Sequence, residues 1–252
     1  NLPKNFKIVK IINTNQIYKK STSLKSILRN KLSLIINQKF REFNIKINSL
    51  NLISMHKIAK QNKIKIVKFN KLNDVNFKNS ILLNCGGNII FHNDFIKKFE
   101  IPINYHHAEL PKYRGSNSNV YSLFKNKKNT FYSFNFLSKK IDFWFVFFKK
   151  KIKIDEKNLF HLHYDMIKAL DASNKIKEIL HASIKNINKK KIILSGGFNY
   201  TKNFFLNYFQ NIEKFNLSDL ERFIKIYGGF YYKNKFITSI KKSKKGIIIK
   251  NT

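Results

Sequence analysis

Short apolar runs alternate along the chain with longer stretches in which apolar residues recur every three or four positions. Residues 6–12 (FKIVKII) read as a strand, residues 23–31 as a helix and residues 32–36 as a second strand. In 53–61, Ile53, Ile58 and Ala59 fall at helical spacing, and 64–69 (IKIVKF) alternates as a strand. Residues 81–84 read as another short strand, 94–99 as one or two helical turns, and 101–105 as extended. This order predicts an α/β fold with a doubly wound, mostly parallel, Rossmann-like sheet joined by crossover helices. Residues 130–137 and 143–149 read as a hairpin, because the Ser138-Lys139-Lys140 connection is polar. The longest helical pattern is 159–187, with Leu162, Met166, Leu170, Ile176, Ile179, Leu180 and Ile184 near one stripe.

Beyond the lysine run 189–191 the pattern changes. Gly196-Gly197 marks a turn, 218–226 reads as a helix with an acidic start, and 230–232, 236–240 and 246–250 are β-like. The chain is therefore divided into a main domain, 1–190, and a linker with a small C-terminal β unit, 191–252. A segment of that size buries little core alone, so it is expected to pack on the main domain.

Composition adds charge. The 252 residues carry 50 Lys plus Arg against 14 Asp plus Glu, a formal charge of +36, with 43% hydrophobic residues. That apolar content excludes a disordered polyelectrolyte. Only four of the basic residues are arginines (Arg29, Arg41, Arg114 and Arg222). Asn, Ile, Phe and Lys are favoured while Ala, Gly and Pro are scarce, which is the signature of A/T-rich codons. Much of the charge therefore needs no functional cause, although the surface still attracts polyanions in a salt-dependent way. Cys85 is the only cysteine and cannot pair within the chain; it is read as a small buried residue. No stretch approaches the roughly 20 apolar residues of a spanning helix, and residues 1–4 lack the apolar core of a secretory signal. A reduced compartment is expected, either cytoplasmic (bacterial or endosymbiont) or an organellar matrix. No G-x-G-x-x-G or P-loop follows a strand. His106-His107 and His161-x-His163 lack partners at metal-ligand spacing, so no metal is expected.

One segment departs from the compositional drift. Residues 103–115 (INYHHAELPKYRG) follow the strand 101–105, at the carboxyl end where open sheets place ligands. They hold the scarce residues Pro111, Arg114 and Gly115. Asp142, one of only 14 acids, lies 36 positions after His106 against Phe143, Trp144 and Phe145. A carboxylate beside such an apolar run has a partner or a role.

These residues resemble the formyltransferase family that uses 10-formyltetrahydrofolate, with its N-x-H-x-x-x-L-P-x-[YF]-[RK]-G signature. Asn104, His106, Leu110, Pro111, Tyr113, Arg114 and Gly115 match it, and Ile141-Asp142 is similar to the family's catalytic aspartate after a hairpin. The resemblance implies Asn104 and His106 as donors to the developing oxyanion, with Asp142 orienting His106 and assisting proton transfer. It implies Cys85, Gly86, Gly87, Asn88, Ile89 and Ile90 as the wall beside the folate. Arg114 fixes the loop or meets an acceptor phosphate. Residues 216–238 resemble the entry to the C-terminal barrel of methionyl-tRNA formyltransferases and their sugar-modifying relatives. Residues 38–52, with Lys39 and Arg41, sit where the tRNA enzymes carry a basic loop. The expected acceptor is initiator methionyl-tRNA and the expected state a monomer. The alternatives are a sugar N-formyltransferase acting on a nucleotide-linked amino sugar, and a non-enzymatic RNA-binding derivative. Departures are Glu109 at an apolar position, Lys140 and Trp144 in place of glycines, and a short C-terminal unit.

Overall fold

The computed structural model describes residues 6–13, 55–69, 77–85, 89–116, 118–163, 165–200, 216–227, 230–232, 235–243 and 246–251. The sequence readings at 23–31, 32–36 and 38–52 lie outside them. The chain forms two compact units, one of residues 1–3, 77–86 and 90–252, the other of residues 4–76 and 87–89.

In the smaller unit, β1 (Lys10–Asn13) and β2 (Lys65–Lys68) are parallel neighbours, Lys10 opposite Lys65 and Asn13 opposite Lys68. The first strand is shorter than the apolar run that predicts it. Helix α1 (Met55–Gln61) leads into β2 and buries Ala59. It stops at Asn62, whose amide donates to the Ile58 carbonyl at 2.9 Å, followed by Lys63 at φ 52°.

The larger unit is built on a four-stranded sheet in the order β3-β4-β6-β7. Strand β3 (Phe77–Cys85) runs parallel to β4 (Phe99–His106), with the short helix α2 (Asn93–Ile96) between them. Strands β6 (Asn129–Phe136) and β7 (Val146–Lys153) complete the sheet as the expected antiparallel hairpin, with β6 also antiparallel to β4. The α/β class is as expected. Strands β4 and β6 are buried along most of their length, so both faces carry apolar or mutually bonded side chains. Strand β7 ends the sheet and turns Lys149, Lys151 and Lys153 to solvent, a charged edge that resists further strand pairing.

The pattern over 159–187 is not one helix. It divides into α4 (Leu159–His163), α5 (Asp165–Asn174) and α6 (Ile176–Lys185), followed by a 3₁₀ turn at Ile187–Lys189. The break at Lys175 coincides with a tightened turn. Ser173 Oγ donates to the Leu170 carbonyl at 2.7 Å, and the Lys175 amide bonds back to Ala172 at 3.0 Å, tightening the last turn of α5. Helix α6 then packs on β4 and β7 and buries Ile179 completely.

Helix α3 (Ser118–Lys125) has no counterpart in the sequence reading. Its buried Val120, Leu123 and Phe124 join Leu159 and Leu162 of α4 in one apolar cluster. Helix α7 (Leu217–Tyr227) adds Leu220, Phe223 and Ile226 to the same cluster. Its start is fixed by Asn216, whose side-chain oxygen accepts from the Asp219 amide at 2.8 Å. Arg222 is buried on α7 and donates to the Leu123 and Asn126 carbonyls, both at 2.6 Å through Nη2, which caps the end of α3. Strands β9 (Phe230–Tyr232), β10 (Lys235–Ser243) and β11 (Gly246–Asn251) form an antiparallel three-stranded sheet, with Ile237 and Ile240 in the shared cluster. The C-terminal unit therefore shares a core with α3 and α4. No helix among the described residues is long and apolar enough to cross a membrane.

Leu220 is 2% exposed in that cluster. Leu220→Ala is expected to destabilise the fold by about 2–5 kcal/mol. The check is urea unfolding followed by fluorescence of Trp144, the only tryptophan. An unshifted Trp144 midpoint would show that α7 unfolds on its own.

Candidate active site

The site begins at the carboxyl end of β4. Residues two apart on a strand point to one face, so Asn104 and His106 share a face and Ile103 and Tyr105 take the other. The register extends this face sideways. Asn84 of β3 lies beside Asn104, and Asn135 and Ser133 of β6 lie opposite Asn104 and His106. The result is a row of three amides across three strands. Asn84 Nδ2 donates to Asn104 Oδ1 at 2.8 Å, and Asn104 Nδ2 donates to Asn135 Oδ1 at 3.1 Å.

Asp142 reaches this row from the loop between β6 and β7. Asn104 Nδ2 donates its second hydrogen to Asp142 Oδ1 at 3.0 Å. His106 Nδ1 lies 3.3 Å from Asp142 Oδ2, and the Gly115 amide donates to the same oxygen at 2.9 Å. Asn104, His106 and Asp142 are 9%, 5% and 6% exposed. The three side chains singled out from sequence thus meet in one buried network. His106 Nε2 lies 2.7 Å from the Tyr113 carbonyl and 3.1 Å from Ser118 Oγ. A carbonyl only accepts, so Nε2 carries a hydrogen.

The residues after β4 are held in place as well. Ser133 Oγ donates to the Ala108 carbonyl at 2.8 Å and accepts from the Leu110 amide at 3.2 Å, folding the chain back behind His106. Strand β5 (Tyr113–Arg114) pairs in parallel with β8 (Phe198–Asn199). Gly115 has φ 91°, and a Cβ there would collide with Asn199 Oδ1 and the Tyr200 carbonyl. Only glycine suits both the turn and the close approach.

Arg114 is 3% exposed. Its guanidinium stacks on Phe143 at 3.9 Å and donates to the carbonyls of Asp142 (3.1 Å), Leu194 (2.8 Å) and Gly196. Burial pulls its pKa down, partly offset by Asp142. Of its two expected roles, the geometry provides loop fixation. Its donors face main-chain oxygens.

Asp142 itself takes φ 58°, a conformation that aspartate tolerates better than most residues. Lys140 and Trp144 are not among the residues with positive φ. The left-handed bend falls on the aspartate, so the absence of flanking glycines imposes no strain. Instead, Trp144 forms a bridge with Ile193, and the Leu194 amide bonds to the Phe143 carbonyl at 2.7 Å.

Of the expected folate-side residues, Cys85 closes β3 opposite Tyr105 and is exposed, contrary to the buried position expected of it. Ile89 is half-buried and Ile90 is 58% exposed. Gly86, Gly87, Asn88, Lys39 and Arg41 lie outside the described residues. Asn84, Asn135 and Ser118 are site members that sequence reasoning missed. Asn and Ser are too common in this chain to stand out, and only strand register brings them to the face. Among the described residues no cluster of three or more His, Cys, Asp or Glu is placed to hold a metal ion.

No protein-family model matches the sequence, and no curated protein matches it. Solved structures do resemble the fold. The structure of WlaRD, a sugar 3N-formyl transferase in the presence of dTDP and 5-N-formyl-THF, is similar with a TM-score of 0.51 and 18% identity over 79% of this chain and 77% of that one. An N-formyltransferase from Helicobacter canadensis, in complex with folinic acid and dTDP-3-aminofucose, is similar with a TM-score of 0.51 and 16% identity over 75% and 72%. A methionyl-tRNA formyltransferase from Clostridium thermocellum reaches a TM-score of 0.43 and 13% identity over 77% and 90%. The first two likenesses show that the chain has the formyltransferase fold.

Arg114→Lys keeps the charge but replaces a planar fork by one ammonium facing three carbonyls. It is expected to cost about 1–3 kcal/mol in urea unfolding. An unchanged unfolding midpoint would remove Arg114 from its clamping role.

Proposed function

We propose that the chain is an N-formyltransferase that moves a formyl group from 10-formyltetrahydrofolate to the primary amine of a nucleotide-linked amino sugar. The observation that carries this reading is the convergence of Asn104, His106 and Asp142 in one buried network at the carboxyl end of β4. Two sugar N-formyltransferases with folate-type ligands at a TM-score of 0.51 support the donor and the acceptor class.

The surroundings suit a folate donor. Ile141, the chain neighbour of Asp142, is 40% exposed, an apolar side chain that offers contact to a flat heteroaromatic ring. Cys85 and Ile90 are proposed to stand beside that ring, as the sequence resemblance implies. Bound formyl-tetrahydrofolate supplies the formyl carbon.

The chain's own residues then have distinct tasks. Attack by the neutral amine places negative charge on the formyl oxygen, which needs preset donors in a dry site. Asn104 Nδ2 serves this oxygen by exchanging one internal acceptor, since both its hydrogens are engaged, on Asn135 and Asp142. His106 supplies the second donor. Asp142 holds the imidazole from the Nδ1 side, takes up the proton that the amine loses and returns it to the folate nitrogen as the bond from that nitrogen to the formyl carbon breaks.

Methionyl-tRNA is the second reading. It is favoured by the +36 charge and by the basic residues Lys39 and Arg41 within 38–52. A monomer in the cytoplasm or an organellar matrix is proposed for either acceptor.

Purified protein incubated with 10-formyltetrahydrofolate and a panel of dTDP- and UDP-linked amino sugars is expected to give formamido product detectable by mass spectrometry. Product from charged initiator tRNA alone selects the second reading, and no product from either leaves an RNA-binding derivative. Asn104→Ala and Asp142→Asn are each expected to lower kcat by roughly 10²-fold or more while leaving the fold intact. Rates within twofold of the parent would overturn the assigned roles.

A further inference from the structure

A concavity lies in the larger unit, with Phe131 of β6 two residues before Ser133, the neighbour of His106. It has a volume of about 350 Å³ and is lined by Lys125, Asn126, Lys127, Lys128, Phe131 and Lys151, together with Glu109 and Asn129. We propose that this groove binds phosphate groups, with a nucleoside diphosphate as the ligand class that fits it best.

Charge is the first reason. Four lysines line the groove against one carboxylate, and Glu109 is already paired with Lys149 at 3.2 Å. Among the described residues, none of Lys125, Lys127, Lys128 and Lys151 has a carboxylate partner. Ammonium groups gathered in a concavity repel one another unless an anion joins them.

The second reason separates the groove from the general excess of lysine. The loop carrying Lys127 and Lys128 is pinned from below. The Tyr113 hydroxyl donates to Asn126 Oδ1 at 3.4 Å, and Asn126 Nδ2 donates to Ser122 Oγ at 3.3 Å. Buried Arg222 donates to the Asn126 carbonyl at 2.6 Å, and the Ile154 amide bonds to the Lys128 carbonyl at 2.9 Å. Solvated lysine turns need no such support, whereas a site that holds its ligand in one geometry does.

Phe131 supplies the third reason. It is half-buried in the groove wall, and Lys149 Nζ lies 5.5 Å from its ring centroid. An aromatic face beside lysines offers stacking to a base and charge to its phosphates. The volume is in the range of small-molecule sites. The proposal does not depend on formyl transfer.

The test is calorimetric titration of the full chain with pyrophosphate, a nucleoside diphosphate and a short single-stranded RNA. The double variant Lys127→Gln/Lys128→Gln is compared with Lys177→Gln/Lys185→Gln, which removes the same charge from exposed positions of α6. The groove variant is expected to weaken pyrophosphate and nucleoside diphosphate roughly tenfold, and the α6 variant less than twofold. Phe131→Leu is expected to weaken the nucleoside diphosphate but not pyrophosphate. RNA binding that depends on Lys127 and Lys128, without measurable binding of the small phosphates, supports the phosphate site with a nucleic-acid backbone as its source. Equal losses in both double variants, or no phosphate binding at all, would overturn the proposal.

Discussion

The carboxylate of Asp142 is the point on which the larger unit's functional face depends. Its two oxygens accept from the Asn104 side chain and the Gly115 main chain and face the His106 ring, while its own carbonyl accepts from Arg114. Three separate stretches of chain are joined there: the end of β4, the turn at Gly115 and the loop between β6 and β7. A buried carboxylate without such donors is expensive. The same bonds that satisfy it also determine where Asn104 and His106 can stand. Arg114 carries the constraint further, to the carbonyls of Leu194 and Gly196.

The amide row gives this face its chemical character. Side chains in a sheet position each other through register, and here the register sets Asn84, Asn104 and Asn135 side by side. Each amide orients the next, so Asn104 is held from both sides. The network is complete as it stands, with both hydrogens of Asn104 Nδ2 in use and His106 bonded through Nε2 to Tyr113. An incoming oxygen therefore competes with internal acceptors for donors that are already aligned. The low dielectric around them strengthens whichever acceptor wins.

The parts legible in the sequence were those encoded by strong local pattern or rare residues. The β6–β7 hairpin follows from two apolar runs joined by the polar Ser138-Lys139-Lys140 connection, and Asn104, His106 and Asp142 follow from a motif with scarce residues. The break at Lys175 was not legible, because the apolar stripe continues across it from α5 to α6. Helix α3 was hidden by its polar start, Ser118-Asn119, whose partners are distant in sequence. The bend at Asp142 could not be foreseen, since the glycines that usually signal such a bend are missing and the aspartate adopts the conformation itself.

The two described arginines, Arg114 and Arg222, are both buried, and each donates to carbonyls at the end of another segment. In a protein whose cationic positions are otherwise almost all lysine, these are places where a single ammonium cannot span the oxygens that must be met. Codon pressure thus has a mechanical limit. In chains this skewed, the rarest side chains become a map of the joints that hold the framework rigid, readable before any coordinates exist.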